Sequence, residues 1–153
     1  MVILYRKLKF KKIIKLYNIK MCGIILSLIN KHSSKNNNRP SIRELSHRGP
    51  EFLSEVTKSN YNYNLYMSHA HLVINGVAGT QPFDTDGVIS IVNGEIYNYN
   101  DFKDEFDLKT DSDCEIINHL YLKYGNSFIN KLKGQFSIVI YDSIQQKLIV
   151  TRD

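Results

Sequence analysis

Two apolar runs of strand length near the C-terminal end constrain this chain's fold most. Gln135–Tyr141 and Lys147–Thr151 are rich in Ile, Val and Leu, and Asp142–Gln146 between them has the composition of a turn. The pair reads as a β-hairpin. An isolated hairpin is marginal in water, so its faces need more strands or a helix to cover them. The sequence supplies both. Phe52–Lys58 and Tyr63–His69 alternate well enough for two strands joined by an Asn-rich turn, and Leu72–Ile74 extends that region. Val88–Val92 reads as a buried strand ending at Asn93-Gly94. Ser41-Ile42-Arg43-Glu44 has capping-box spacing and starts a short helix stopped by Arg48-Gly49-Pro50. Asn100–Phe106 reads as another short helix. Ser112-Asp113-Cys114-Glu115 is a second capping box, and the helix behind it puts Ile116, Ile117, Leu120, Tyr121 and Tyr124 on one face, with Gly125 closing it. Asn126–Leu132 adds a helical turn or two. The order strands, helices, strands predicts an α+β layered domain rather than a parallel βαβ array.

A chain of 153 residues can bury a real core as one domain, and 42% hydrophobic with 23% charged residues fits a soluble globular protein. No run of 18 apolar residues is present, so no membrane span is expected. Two cysteines, Cys22 and Cys114, make no disulfide framework and point to a reducing, cytoplasmic compartment. The net charge of +5 is unevenly placed. Residues 1–20 carry seven Lys or Arg and no acid, while the other 133 residues carry 13 basic and 15 acidic groups. The basicity belongs to the leader, and no nucleic-acid-binding face is expected. The leader alternates basic and large apolar residues, the pattern of an amphipathic helix on a membrane surface. The plainer reading is that Met21 is the true start, or that residues 1–20 are removed. With the hairpin reaching Asp153, the chain reads as cut at a boundary.

Met21-Cys22-Gly23 opens the apolar run Ile24–Ile29. As a first residue, Cys22 would carry its own base, because an α-amine with a pKa of about 7.7–8.0 can take the thiol proton. A lone cysteine is otherwise a small buried hydrophobe. Asn93-Gly94 at a strand end offers a side-chain amide and a backbone N–H side by side, a pair able to hold an oxyanion. Asn-Gly is also a strong turn signal. Asp113, at a helix start, either serves the dipole or, with Ser112 doing the capping, binds a substrate ammonium. His69 and His71 share one strand face and could join Cys22 or Asp113 around a metal. With no second pair at ligand spacing, two ordinary polar histidines and no metal are expected.

Taken in order, MCGI at Met21, HRGP at His47–Pro50, Gln81-Pro82, NGEIYN at Asn93–Asn98, SDCE at Ser112–Glu115 and LKGQFSIVIYD followed by RD resemble the class II glutamine amidotransferase domain, of the asparagine synthetase type. The resemblance covers residues 21–153. It implies a four-layer αββα sandwich of the N-terminal-nucleophile hydrolase type. It also implies L-glutamine as substrate, with Cys22 attacking its side-chain amide, Asn93 and Gly94 forming the oxyanion hole, and a glutamyl thioester hydrolysed by water. Glu95 and Asp113 would hold the α-ammonium. His71, Leu72, Val73, Ile74 and Asn75 match the stretch at the α-carboxylate end. The half-reaction needs no cofactor.

Two departures from the family pattern stand out. The family has Arg where this chain has His71, and imidazole cannot offer the parallel donors that grip a carboxylate. Weaker glutamine binding is therefore expected, improving below about pH 6.5 where an ordinary imidazole is charged. Arg48 or Arg43 could substitute. The resemblance stops at Asp153, so the synthetase domain, which would bind ATP and Mg, is expected to be missing here, and asparagine synthesis would need a separate synthetase subunit or domain. The alternative reading is an inactive remnant or binding module that keeps the fold.

Overall fold

The computed structural model describes residues 3–5, 13–15, 22–32, 39–49, 52–72 and 81–153. Nine strands and one α-helix are present among them: β1 (Ile3–Tyr5), β2 (Ile13–Lys15), β3 (Gly23–Asn30), β4 (Phe52–Ser59), β5 (Tyr63–His71), β6 (Phe83–Thr85), β7 (Val88–Ile96), α1 (Ile116–Tyr124), β8 (Gly134–Asp142) and β9 (Lys147–Arg152). They form two antiparallel sheets, ordered β1-β9-β8-β7-β6 and β2-β3-β5-β4. This agrees with an α+β layered domain. Within the leader, residues 3–5 and 13–15 are edge strands, β1 beside β9 and β2 beside β3, rather than parts of an amphipathic helix. No helix among the described residues is long and apolar enough to cross a membrane.

Side-chain alternation along β7 explains why the sheets stack. Val88, Val92 and Ile96 join a cluster with Ile116, Ile117, Leu120 and Phe128, so this face lies under α1. Ile89 and Ile91 point the other way and meet Ile24, Leu26, Leu65 and Met67 of the second sheet. Each fully buried Ile of this kind contributes about 1.5–3 kcal/mol. The second sheet's outer face carries a smaller cluster, Ile25, Leu45 and Ala70, covered by the 3-10 turn Ile42–Leu45.

Local chemistry fixes the element ends. Ser41 and Glu44 form the expected reciprocal capping box, although the helix is a single 3-10 turn. The second box is only half made. Ser112 Oγ accepts from the Cys114 N–H at 3.3 Å, but Glu115 turns to the preceding loop and accepts from Lys109 N–H, Thr110 N–H and Thr110 Oγ1. Asn100–Phe106, expected as a short helix, holds the 3-10 turns Tyr99–Asp101 and Lys103–Glu105 instead. In the final hairpin, Asp142 Oδ1 accepts from the N–H groups of Ile144 and Gln145, while Oδ2 accepts from Tyr121 Oη at 3.0 Å. That one carboxylate shapes the turn and ties it to α1. Burial and this hydrogen bond raise the Tyr121 phenol above its ordinary range.

The main departure from the sequence reading lies in β7. The strand does not stop at Val92 but runs through Asn93-Gly94 to Ile96, with Gly94 opposite Phe136. Gly94 has φ +153°, and a Cβ there would stand 2.0 Å from the Gln135 carbonyl oxygen. Only glycine lets the two strands approach this closely, so the residue that signals a turn serves a close crossing instead.

Candidate active site

The strand ladder decides which groups at Asn93-Gly94 are free. In an antiparallel pair, residues alternate between bonding the neighbour and pointing away from it. Ser143 N–H bonds Gly87 O and Tyr97 N–H bonds Lys133 O, so odd-numbered residues of β7 bond β8. Even-numbered residues face the opposite edge. Phe136, across from Gly94, confirms this by bonding Asp153 through both its N–H and its carbonyl. β6 covers that edge only as far as Ser90. Beyond it, Val92 N–H donates to Gln81 Oε1 at 2.6 Å and Ile96 N–H to Asp113 Oδ2 at 2.5 Å. Gly94 N–H lies between these two capped donors and has no acceptor among the described residues. The sequence reading expected this free N–H from a strand end. The structure supplies it from ladder alternation beside a short neighbouring strand.

Asn93 shares the parity of Ile89 and Ile91, so its side chain faces the second sheet. Its Oδ1 is buried without a hydrogen-bond partner among the described residues. Cys22 precedes β3 on the face of Ile24 and Leu26, and His69 and His71 continue the face of Leu65 and Met67. All four side chains thus point between the sheets. The Cys22, His69 and His71 ligand atoms lie within 4.8 Å of one another. Leu72 N–H donates to Cys22 Sγ at 3.3 Å, and the Cys22 thiol in turn donates to Leu72 O at 3.8 Å, which fixes the sulfur against the end of β5. Gly49 packs so tightly on β5 that a Cβ would stand 2.4 Å from the Ala70 carbonyl carbon and 2.5 Å from the His71 nitrogen. The 47–49 turn, with Arg48 in it, is thereby held against the backbone of His71.

Burial, reinforced by the charge of His71, lowers the His69 pKa to about 4. His69 is therefore neutral near pH 7. The second thiol, Cys114, is pushed well up by burial first and then by Asp113, with Cys22 and Glu95 adding to the effect. Its Sγ lies 3.7 Å from Gly94 O, so it packs behind the free N–H as an inert neutral group.

Of the sequence-derived candidates, Cys22, His71 and Leu72 come together, with Asn93 and Gly94 on the facing strand. Asp113 stands in the 3-10 turn Asp113–Glu115. Ser112 does the capping, as expected, but the Asp113 carboxylate is not left wholly to a ligand, because one oxygen is held by Ile96 N–H. Asp113 is also not among the groups near the two histidines. Glu95 is exposed. Val73, Ile74 and Asn75 lie outside the described residues, as do Met21 and Pro50. Sequence reasoning missed the cap that Gln81 places on Val92 and the backbone contact of Leu72 with Cys22. The Gln81-Pro82 motif was the available signal for the first.

The sequence profile of the glutamine amidotransferase domain family matches residues 21–153. An asparagine synthetase (glutamine-hydrolyzing) of Arabidopsis thaliana is 38% identical over 143 residues, covering 87% of this chain and 24% of that protein. Its counterpart in Zea mays is 34% identical over 142 residues, with the same coverage. Amidase chry2 of Gibberella zeae is 37% identical over 119 residues, or 74% of this chain and 18% of the relative. The chain thus spans about a quarter or less of the length of these relatives. It belongs to the glutamine amidotransferase domain family and is homologous to the glutaminase domains of asparagine synthetases.

Proposed function

We propose that this domain hydrolyses L-glutamine to glutamate and ammonia through a thioester on Cys22. The observation that carries this reading is the Gly94 N–H, without an acceptor among the described residues, beside the inward-facing Asn93 side chain on the strand opposite Cys22. Cys22 Sγ attacks the side-chain amide carbon of glutamine. The oxyanion is held by Gly94 N–H and Asn93, a pair of donors commonly worth about 3–4 kcal/mol of barrier. Leu72 N–H holds the attacking sulfur in place. When Cys22 is the first residue, its amine takes the thiol proton and delivers it to the departing ammonia. Water then cleaves the thioester and returns the proton to sulfur. Glu95 and the remaining oxygen of Asp113 take the α-ammonium. His71 and Leu72 stand at the α-carboxylate end, where the family resemblance also puts Val73, Ile74 and Asn75, with Arg48, in the turn held against the His71 backbone, replacing the guanidinium missing at His71. The half-reaction uses no cofactor. Two free cysteines fit a cytoplasmic setting. A four-layer sandwich of the N-terminal-nucleophile type would suit the two stacked sheets.

The ammonia would serve asparagine synthesis on a separate synthetase subunit or domain that binds ATP and Mg. An inactive remnant is the competing reading, favoured by His71 in place of arginine. The test is glutamate release by a chain whose first residue is Cys22, beside the full chain and Cys22→Ala. Turnover that vanishes with Cys22→Ala supports the glutaminase. A folded protein with no turnover at saturating glutamine leaves the remnant.

A further inference from the structure

We propose that Cys22, His69 and His71 form a binding site for Zn²⁺, or a divalent ion of similar softness, which masks the Cys22 thiol reversibly. His69 is 0% exposed and His71 8%, and all four of their ring nitrogens are buried with no hydrogen-bond partner among the described residues. A buried polar group left unpaired costs about 1–3 kcal/mol, and buried histidines normally donate at least one N–H. Here two adjacent imidazoles leave every nitrogen unpaired among the described residues, with a thiol beside them. A metal ion satisfies one nitrogen of each ring and the sulfur at once.

The geometry is close to what such an ion needs. Tetrahedral zinc with Zn–S of about 2.3 Å and Zn–N of about 2.0–2.1 Å sets neighbouring ligand atoms roughly 3.3–3.7 Å apart. The observed atoms lie within 4.8 Å of one another. Ring rotation about χ2, a soft torsion, closes a gap of about 1 Å. One thiolate and two imidazoles suit Zn²⁺, Co²⁺ or Cu²⁺, whereas Mg²⁺ and Ca²⁺ demand oxygen ligands that this trio lacks. Leu72 N–H, bonded to Cys22 Sγ at 3.3 Å, supports the coordinated sulfur. Three protein ligands leave a fourth position for water. If Cys22 is the first residue, its amine fills that position and closes a five-membered ring with the sulfur.

Binding releases the thiol proton to solvent and forms a metal–sulfur bond with no change of oxidation state. The sulfur lone pair is then unavailable for attack. The presence of His71 gives the ion its third ligand, so the residue that departs from the family pattern would make this nucleophile sensitive to metal.

The test is titration of the reduced full chain with Co²⁺ and then Zn²⁺, followed by optical absorption and calorimetry. Circular dichroism checks the folding of Cys22→Ala, His71→Ala and His71→Arg. One ion per chain is expected, with Kd on the order of 1 μM or tighter for Zn²⁺. The cobalt form should show a thiolate-to-metal charge-transfer band that Zn²⁺ abolishes. Cys22→Ala should remove the band, and each folded His71 variant should weaken binding roughly 100-fold. Binding unchanged in those variants, a cobalt spectrum without the sulfur band, or no binding by the wild-type chain would each overturn the proposal. The readout needs no glutamine, so failed turnover and failed metal binding are told apart.

Discussion

Replacing Gly94 with Asn separates the two structural meanings of Asn93-Gly94. In a tight turn with left-handed backbone, Asn is the best-tolerated substitute for Gly and costs under about 1 kcal/mol. In this structure the cost is larger and has separable sources. The φ of +153° lies in a region reserved for glycine, which costs a side-chain-bearing residue about 1–3 kcal/mol. The new Cβ would stand 2.0 Å from Gln135 O and 2.5 Å from Phe136 Cα, both backbone atoms, so β8 must move. Overpacking of this kind adds about 1–3 kcal/mol. Moving β8 also strains the paired residues on either side, Asn93 with Ser137 and Glu95 with Gln135. Gly94→Asn and Gly94→Ala should therefore each cost about 2–6 kcal/mol, much of an ordinary domain's total stability. Gly125 supplies the control for the steric part, since its backbone, with φ +56° and ψ −141°, also lies outside the left-handed helical region, while a Cβ there would meet nothing within 4 Å. Gly125→Asn should cost only the conformational part, about 1–3 kcal/mol. Urea unfolding of the variants gives the comparison directly. If Gly94→Asn proves as mild as Gly125→Asn, then β7 does not run through Gly94 as described, and the Gly94 N–H does not stand at the sheet edge.

Three further expectations rest on particular contacts. Gln81→Met keeps the volume but removes the acceptor for the buried Val92 N–H, so it should cost about 1–3 kcal/mol in urea unfolding; an unchanged midpoint would mean that another group takes the cap. Glu115 is 4% exposed and holds the N–H groups of Lys109 and Thr110 just ahead of Asp113. Glu115→Ala should cost about 3 kcal/mol or more and speed amide exchange at those two residues, and exchange left as slow as in wild type would count against this anchoring role. His69 has a folded pKa of about 4, below its ordinary 6.5, so its contribution is fully present above pH 6.5 and is lost as pH falls toward 4. In buffer containing a chelator, unfolding free energy should drop by about 2–3 kcal/mol more in wild type than in His69→Gln between pH 7 and about pH 4.5, and equal losses in the two proteins would refute the burial argument.

Elements whose signal is local were legible in the sequence. β8 and β9 follow from the apolar runs on either side of Asp142–Gln146, and the buried face of α1 follows from the spacing of Ile116, Ile117, Leu120 and Tyr121. Features that depend on a distant partner were not legible. Gly94 looks like a turn residue until the Gln135 carbonyl is beside it. Glu115 has capping-box spacing, but the N–H groups of the preceding loop compete for it and win with three hydrogen bonds. β6 is only three residues long and carries too little pattern to read. At the site, the shared face of His69 and His71 could be read from period-2 alternation. Their closeness to Cys22 could not, because it depends on the β3–β5 register that pairs Gly23 with Ala70.

An open sheet edge offers a row of free N–H and carbonyl groups, and proteins normally cover such rows because they invite pairing with another strand. Past Ser90, the edge of β7 is covered, among the described residues, by side chains rather than by a strand. Gln81 takes Val92 N–H and Asp113 takes Ile96 N–H. Both caps come from segments remote in sequence, and each is specific to one donor. Closing the donors on either side leaves Gly94 N–H too isolated to seed a strand, yet held firmly in place. Covering the edge and pre-positioning a single donor are thus one arrangement. A longer β6 would have consumed that donor. The glycine that permits the close crossing with β8 is the same residue whose N–H remains, which is why its replacement should disturb the fold before any question of chemistry arises.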